Sequence, residues 1–232
     1  YRYDKVRQVF TDEIWDDTSI IRKELSTPSE KDNRSVFVVD VKDLKNDVYV
    51  PRYYWHKRIE ELRREANKSG LEFVQVKHLI KENIVADFPG HGSPEGKYKG
   101  KGTIPYVRVA DIVNWSIYRN PTSLISEAVY RDKKGNGIDL QENDVLFVRR
   151  GSYRIGSVAL VSRFDTEVLL TREIHVFRVL SERNPYDIDA FYLMYLFSHP
   201  LTQKQLWNKV LIDTTLPNIG RRWEELYLPV AK

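Results

Sequence analysis

Chemistry on phosphates needs either fixed carboxylates that hold a metal or fixed cations that meet the charge, and this chain carries a candidate for each. Asp87 followed by Glu95-x-Lys97 imitates the Asp…Glu-x-Lys arrangement that holds Mg²⁺ in many nucleases. That chemistry needs its carboxylates on rigid strands, so that the metal can polarise phosphate and water. Glu95 and Lys97 instead fall in "GHGSPEGKYKGKG", with four glycines and a proline between residues 90 and 100. A flexible basic loop is the expectation there, and a Mg-dependent nuclease using Asp87, Glu95 and Lys97 is the alternative.

The cationic candidates are stronger. In "VRRGSYRIGS", Arg149 and Arg150 end an apolar run, Gly151 and Gly156 allow a tight turn, and Ser152, Tyr153 and Arg154 project from it. Arginine can bind guanine or phosphate through two parallel hydrogen bonds, while Ser and Tyr hydroxyls reach phosphates. In "EGKYKGKGT", Lys97, Lys99 and Lys101 recur at every second position among glycines, which suits phosphate positioning. Arg131, Lys133 and Lys134 form a third, weaker group. Arg221 and Arg222 stand beside Trp223 but acids follow at once, so a salt-bridged structural turn is expected.

Other catalytic signatures are missing. Zero cysteines exclude thiolate catalysis, disulfides and Cys-ligated metal. The five histidines (His56, His78, His91, His175, His199) are scattered, none four residues from another. No Walker loop or Gly-x-Ser-x-Gly elbow occurs. Asn184-Pro185-Tyr186 falls short of a methyltransferase base pocket and reads as a turn before a helix. No catalytic residue and no cofactor is therefore expected in this chain.

With 37 Lys+Arg against 33 Asp+Glu, the net charge is only +4. Charge is nevertheless uneven: Val145–Phe164 holds four arginines and no acid, and residues 97–108 hold four bases and no acid. Basic stretches with embedded tyrosines fit a nucleic-acid surface. No apolar run approaches the roughly 20 residues of a membrane span, and no signal peptide is evident. The chain begins at Tyr1, which reads as a piece excised from a longer, cytoplasmic protein. Its 232 residues amount to one large domain, or a smaller one with an attachment.

The elements that must hold these groups alternate in type. The β-branched run Val36–Val41 predicts a strand. Trp55, Ile59, Leu62 and Ala66 predict one helix over 53–68, stopped by Gly70. Beyond it, "LEFVQV", "IPYVRVADI" and "EIHVFRVL" read as strands, "DKKGNG" as a turn, and "DVLFVRR" with "SVALVS" as a hairpin-like pair. "DIDAFYLMYLFSHP" predicts a helix capped by Asp187, and Pro200 opens a second one. These helices, around 187–211, are expected to serve packing or partner docking. Leu226–Val230 predicts a final strand. The fold class is mixed α/β (α+β): a twisted, mostly antiparallel sheet with helices gathered C-terminally, preceded by a helical connector. The expected division is a connector over 1–70 and a domain over 71–232.

That order of elements resembles the target recognition domain of type I restriction–modification specificity subunits. The likeness is carried by "FVQVKHLI", "GHGSPEGKYKGKGTIPYVRVADI", "DVLFVRRGSYRIGSVALV", "LLTREIHVFRVL", "DAFYLMYLFSHP" and "TTLPNIGRRWEELYLPV", from about Leu71 to Val230. The resemblance implies a domain that reads half of a bipartite site in double-stranded DNA. Its partners would be an N6-adenine methyltransferase domain or subunit, and a restriction subunit in the full complex. S-adenosylmethionine would then belong to the methylase, with none bound here. A full specificity subunit carries two such domains, and this chain holds one. Residues 1–70 look like a connector behind a methylase core, which favours the C-terminal region of a fused N6-adenine methylase. A single-strand or RNA-binding module and a protein-docking module of the same complex are the remaining alternatives.

Overall fold

The computed structural model describes the backbone of residues 2–4 and 9–11, and residues 39–45, 48–135, 138–151, 153–180, 184–212 and 216–231. Two compact units are present, Tyr1–Lys57 and Arg58–Lys232.

In the first unit, β1 (Arg2–Asp4) and β2 (Val9–Thr11) pair antiparallel, with Tyr3 opposite Phe10. Of the strand expected over Val36–Val41, residues 36–38 lie outside the described residues and Val41 begins a 3₁₀ turn instead. The Asp40 carboxylate accepts the Lys42 amide at 3.1 Å, a local bond that competes with extension. A single turn, α1 (Pro51–Tyr54), follows. The Tyr54 hydroxyl donates to the Val48 carbonyl at 2.6 Å and accepts the Lys45 amide at 3.0 Å.

The helix expected over 53–68 is broken at Trp55, whose backbone leaves the helical region. It restarts as α2 (His56–Lys68). Within the second unit, Leu62 and Ala66 of α2 pack on Leu201, as their spacing predicts.

The second unit continues through β3 (Leu71–Gln75), α3 (Val76–Lys81) and β4 (Val85–Pro89). Then come β5 (Ile104–Val107), β6 (Ile112–Val113), β7 (Ser116–Ile117) and β8 (Leu124–Ile125). A helix, α4 (Glu127–Lys134), covers much of the segment expected to be a turn. Ser126 caps it, and burial of Tyr130 against Tyr106, Ile125 and Leu169 holds it in place. Next are β9 (Val145–Val148), β10 (Val158–Leu160), β11 (Leu169–Leu170) and β12 (Ile174–Val179). The chain closes with α5 (Ala190–Ser198), α6 (Pro200–Gln203), α7 (Leu206–Lys209), β13 (Leu211–Ile212), β14 (Pro217–Asn218) and β15 (Tyr227–Ala231).

The central sheet runs β10-β9-β12-β4, antiparallel throughout. The expected hairpin is β9–β10, with Phe147 opposite Val158. Val145, Leu146, Phe147 and Val148 are all buried, because side chains alternate between two cores. Val145 and Phe147 join Phe177, Phe197 and Trp223 on the face covered by α5. Leu146 and Val148 join Val107, Ile174 and Leu170 on the other face. That second face is covered by the small sheet β11-β5-β8, which contains the parallel pair β11–β5. β15 pairs with β3, so the end of the unit closes against its beginning. The fold is thus the expected mixed class, mostly antiparallel, with three short helices late in the chain.

The cap of α5 differs from expectation. Asp189, not Asp187, accepts the Tyr192 amide at 2.7 Å. Asp187 sits at φ +49°, where it cannot serve as the cap. Asn184 makes the expected turn, its side chain bonding both the amide and the carbonyl of Ile188.

Candidate nucleic-acid interface

The connection from β9 to β10 leaves the sheet as a short, tightly closed turn. Val148 accepts the Gly156 amide at 2.9 Å, and Ser157 accepts that of Val148 at 2.9 Å. Gly151 and Gly156 have φ of +111° and +94°. At Gly156 a Cβ would also press on the side-chain ends of Leu206 and Gln203, and the positive φ favours glycine there. The segment entering the turn is pinned to β14: Gly151 donates to the Pro217 carbonyl at 3.1 Å and Ile219 donates to that of Arg149 at 3.0 Å.

The four cationic or hydroxyl-bearing residues described in this turn have different fates. Arg149 is half-buried and its Nε donates to the Arg172 carbonyl at 3.1 Å. Burial pushes its pKa down, with Glu173 opposing and Arg150 and Arg172 reinforcing the shift. Among the described residues the Arg150 guanidinium has no hydrogen-bond or ion-pair partner. Arg154 donates to the Ile112 carbonyl at 3.1 Å and lies 5.5 Å over the Tyr153 ring. Tyr153 is 91% exposed. Ser152 lies outside the described residues.

The lysine loop spans β4 to β5 and is irregular apart from one 3₁₀ turn, as expected. Lys97 pairs with Glu95 at 2.8 Å and sits 4.8 Å over Tyr98. Lys99 lies 5.5 Å over the Tyr106 ring, and Lys101 is exposed with its amide bonded to the Leu124 carbonyl.

Both basic segments converge on the turn between β11 and β12. On one side Tyr106 donates to Ser93 Oγ at 2.8 Å, and Ser93 shares a hydrogen bond with Thr171 at 3.3 Å. On the other, Arg149 bonds the Arg172 carbonyl, and its amide bonds that of Glu173 at 2.9 Å. The turn itself adds an exposed arginine, Arg172, that sequence reasoning missed. Its signal was present: a base in the short link between "LL" and "EIHVFRVL". The nearest acid, Glu173, is bonded by the Thr171 hydroxyl.

The weaker candidates are locally neutralised. Arg131 pairs with Glu127 at 2.6 Å, Lys133 with Asp132 at 3.3 Å, and Lys134 with Asp139 at 2.8 Å. Arg221 bonds Glu224 at 2.6 Å and Arg222 bonds the Lys209 carbonyl at 2.8 Å, the structural turn that was expected. The carboxylates of the metal alternative are likewise engaged. Asp87 bonds His175 Nε2 at 3.0 Å, and Glu95 holds Lys97. Among the described residues no three His, Asp or Glu side chains gather as a metal site would require. His175 packs 4.7 Å from Trp223, and burial lowers its pKa against the opposing pull of Asp87. Among the described residues no helix is long and apolar enough to cross a membrane.

No family model and no curated protein matches this chain. Solved structures similar to it include the type I restriction–modification S subunit from M. genitalium. That one has TM-score 0.44 and 15% identity, over 70% of this chain and 35% of that one. Another is the HsdS subunit from Thermoanaerobacter tengcongensis, with TM-score 0.41 and 14% identity over 78% of this chain and 44% of that one. A third comes from work on complex assembly and conformational transition of the type I R-M system. It has TM-score 0.42 and 14% identity, over 78% of this chain and 45% of that one. The chain thus spans less than half the length of each of these three.

Proposed function

We propose that this chain is a sequence-specific recognition domain for double-stranded DNA, directing a cytoplasmic N6-adenine methyltransferase or restriction complex to its site. The observation that supports this is the arginine cluster. Arg149, Arg150 and Arg172 gather around one carboxylate, Glu173, whose single charge does not offset three cations. Gathered like charges disfavour the fold unless an anion offsets them. Phosphate does so, and in this reading Lys99 and Lys101 add phosphate contacts from the lysine loop. Arg150 stands on a backbone braced by β14, which gives a guanidinium the fixed origin needed to read guanine edge-on. Arg149 braces the turn, and Arg154 ties its far end to Ile112. The methylase, with its S-adenosylmethionine, is a separate domain or subunit in this reading. Phe191 and Tyr195, four residues apart on α5 and 60% and 47% exposed, favour that helix as the face for such a partner.

The test is a salt titration of the purified chain on random duplexes, then target selection in the assembled complex. Affinity should fall linearly in log–log form, by a slope of about 0.9 per phosphate contacted. Lys99→Ala should weaken all duplexes alike and flatten that slope by about 0.9. Arg150→Ala should cost roughly 1–3 kcal/mol at one base position and blur the selected sequence. No duplex affinity at low salt would sink the reading. An unchanged target with Arg150→Ala would remove Arg150 as the reader.

A further inference from the structure

We infer that the cleft between the β6–β7 hairpin and the Tyr153–Ser157 turn receives a nucleobase that has left the DNA stack, with Trp115 as its stacking platform. This rests on the DNA-recognition reading and adds a second contact mode to it. β6 and β7 are joined by two residues, Asn114 and Trp115, with φ of +50° and +64°. A two-residue hairpin with positive φ at both centres favours Asn-Gly. Asn114 meets that preference and Trp115 defies it, since a bulky residue in the left-handed region is strained. The core does not gain from this: Trp115 is 51% exposed, whereas Trp223 is 1% exposed. The turn is nonetheless held firmly, because Leu160 donates to the Trp115 carbonyl at 3.0 Å. A strained, well-anchored indole at a hairpin tip is the mark of a side chain kept for contact.

Trp115 and Tyr153 line the same cleft, of about 430 Å³. Arg154 fastens the Tyr153 turn to the hairpin through the Ile112 carbonyl. Asn114 and Ser157 supply polar atoms along the lining, Gln203 holds the Gly156 and Phe197 carbonyls beside them, and the lining includes no carboxylate. An indole and a phenol with no acid in the lining suit the face of a base. A base inside a duplex presents no free face, so the occupant is an unpaired or extruded one.

The experiment titrates the full chain with a paired duplex and with the same duplex carrying one unpaired 2-aminopurine. Wild type should prefer the unpaired probe by roughly 5- to 150-fold, the range of one base–aromatic stack, and quench its emission. Trp115→Gly creates the favoured Asn-Gly turn, so its melting temperature should hold or rise while preference and quenching vanish. Trp115→Tyr should retain most of both. A wild type that binds both probes equally overturns this cleft and leaves duplex recognition standing. Preference that survives Trp115→Gly also overturns it. Wild-type binding of the unpaired probe without any paired-duplex affinity would instead overturn the recognition reading and leave the cleft.

Discussion

At the residue scale, several acids beside the central sheet are taken up by arginines that lie from 3 to 46 residues away in the chain. Buried Asp144 takes Arg178 through two bonds of 2.7 and 2.8 Å, Asp165 takes Arg119 at 2.8 Å, and Asp111 takes Arg108 at 3.2 Å. With those acids engaged, a net charge of only +4 can still leave a positive margin at Arg150 and Arg172. His91 shows a titratable group recruited to hold a loop. It is buried, its Nδ1 accepts the Leu170 amide at 3.0 Å, and Nε2 faces the Ile138 carbonyl at 2.9 Å. The neutral ring with its proton on Nε2 satisfies both partners. Burial lowers the His91 pKa, with the Ile138 carbonyl opposing, and burial lowers those of His175 and His199 too. The unfolded state therefore binds more protons in acid. The neutral rings' stabilisation is intact above the ordinary histidine pKa of about 6.5 and is lost as pH falls below it. Melting temperature should drop between about pH 7.5 and pH 5, and less steeply in His91→Asn. Equal slopes would show that His91 does not carry the effect.

At the element scale, caps and covering faces decide what the local pattern leaves open. α5 buries Leu193, Met194, Leu196 and Phe197, so its apolar character serves the core on one side. Its start depends on Asp189. Asp189→Ala should cost about 1 kcal/mol in chemical denaturation, the usual value of a lost N-cap. Asp187→Gly should be neutral or stabilising, because the backbone there is already left-handed. The opposite ranking would restore Asp187 as the cap. α4 was hidden in the sequence because its last turn runs into glycines, which read locally as a loop. Tyr130 buried on the β11-β5-β8 sheet outweighs that signal.

At the scale of the whole molecule, both faces of the central sheet in the second unit are covered, which leaves chemistry to strand ends and turns. The lysine loop, the β11–β12 turn and the start of the β9–β10 turn are tied into one continuous margin by hydrogen bonds. This arrangement supplies positive charge and aromatic faces, and Asp87 and Glu95 are turned to separate partners within it. The isolated chain should therefore leave unmethylated DNA unchanged with either S-adenosylmethionine or Mg²⁺. Cleavage with Mg²⁺ that disappears on Glu95→Ala would revive the metal alternative.

The sequence by itself determined the features that depend on neighbours within a few residues. A bounded apolar run and glycine framing were enough for the β9–β10 hairpin, and Pro200 for the start of a second C-terminal helix, which the fold splits into α6 and α7. Glycine-rich composition was enough for the lysine loop. Tertiary structure alone decided which cations remain available. Arg149 and Arg150 are adjacent in sequence, yet one is tied to the Arg172 carbonyl and the other is not. Asp87 meets His175 across 88 residues, and β11 meets β5 in parallel register. The role of Trp115 emerged only from the positive φ of its turn and the cleft beside it. A side chain's own type sets what it can bind; whether that capacity is already engaged depends on groups that only the fold brings within reach.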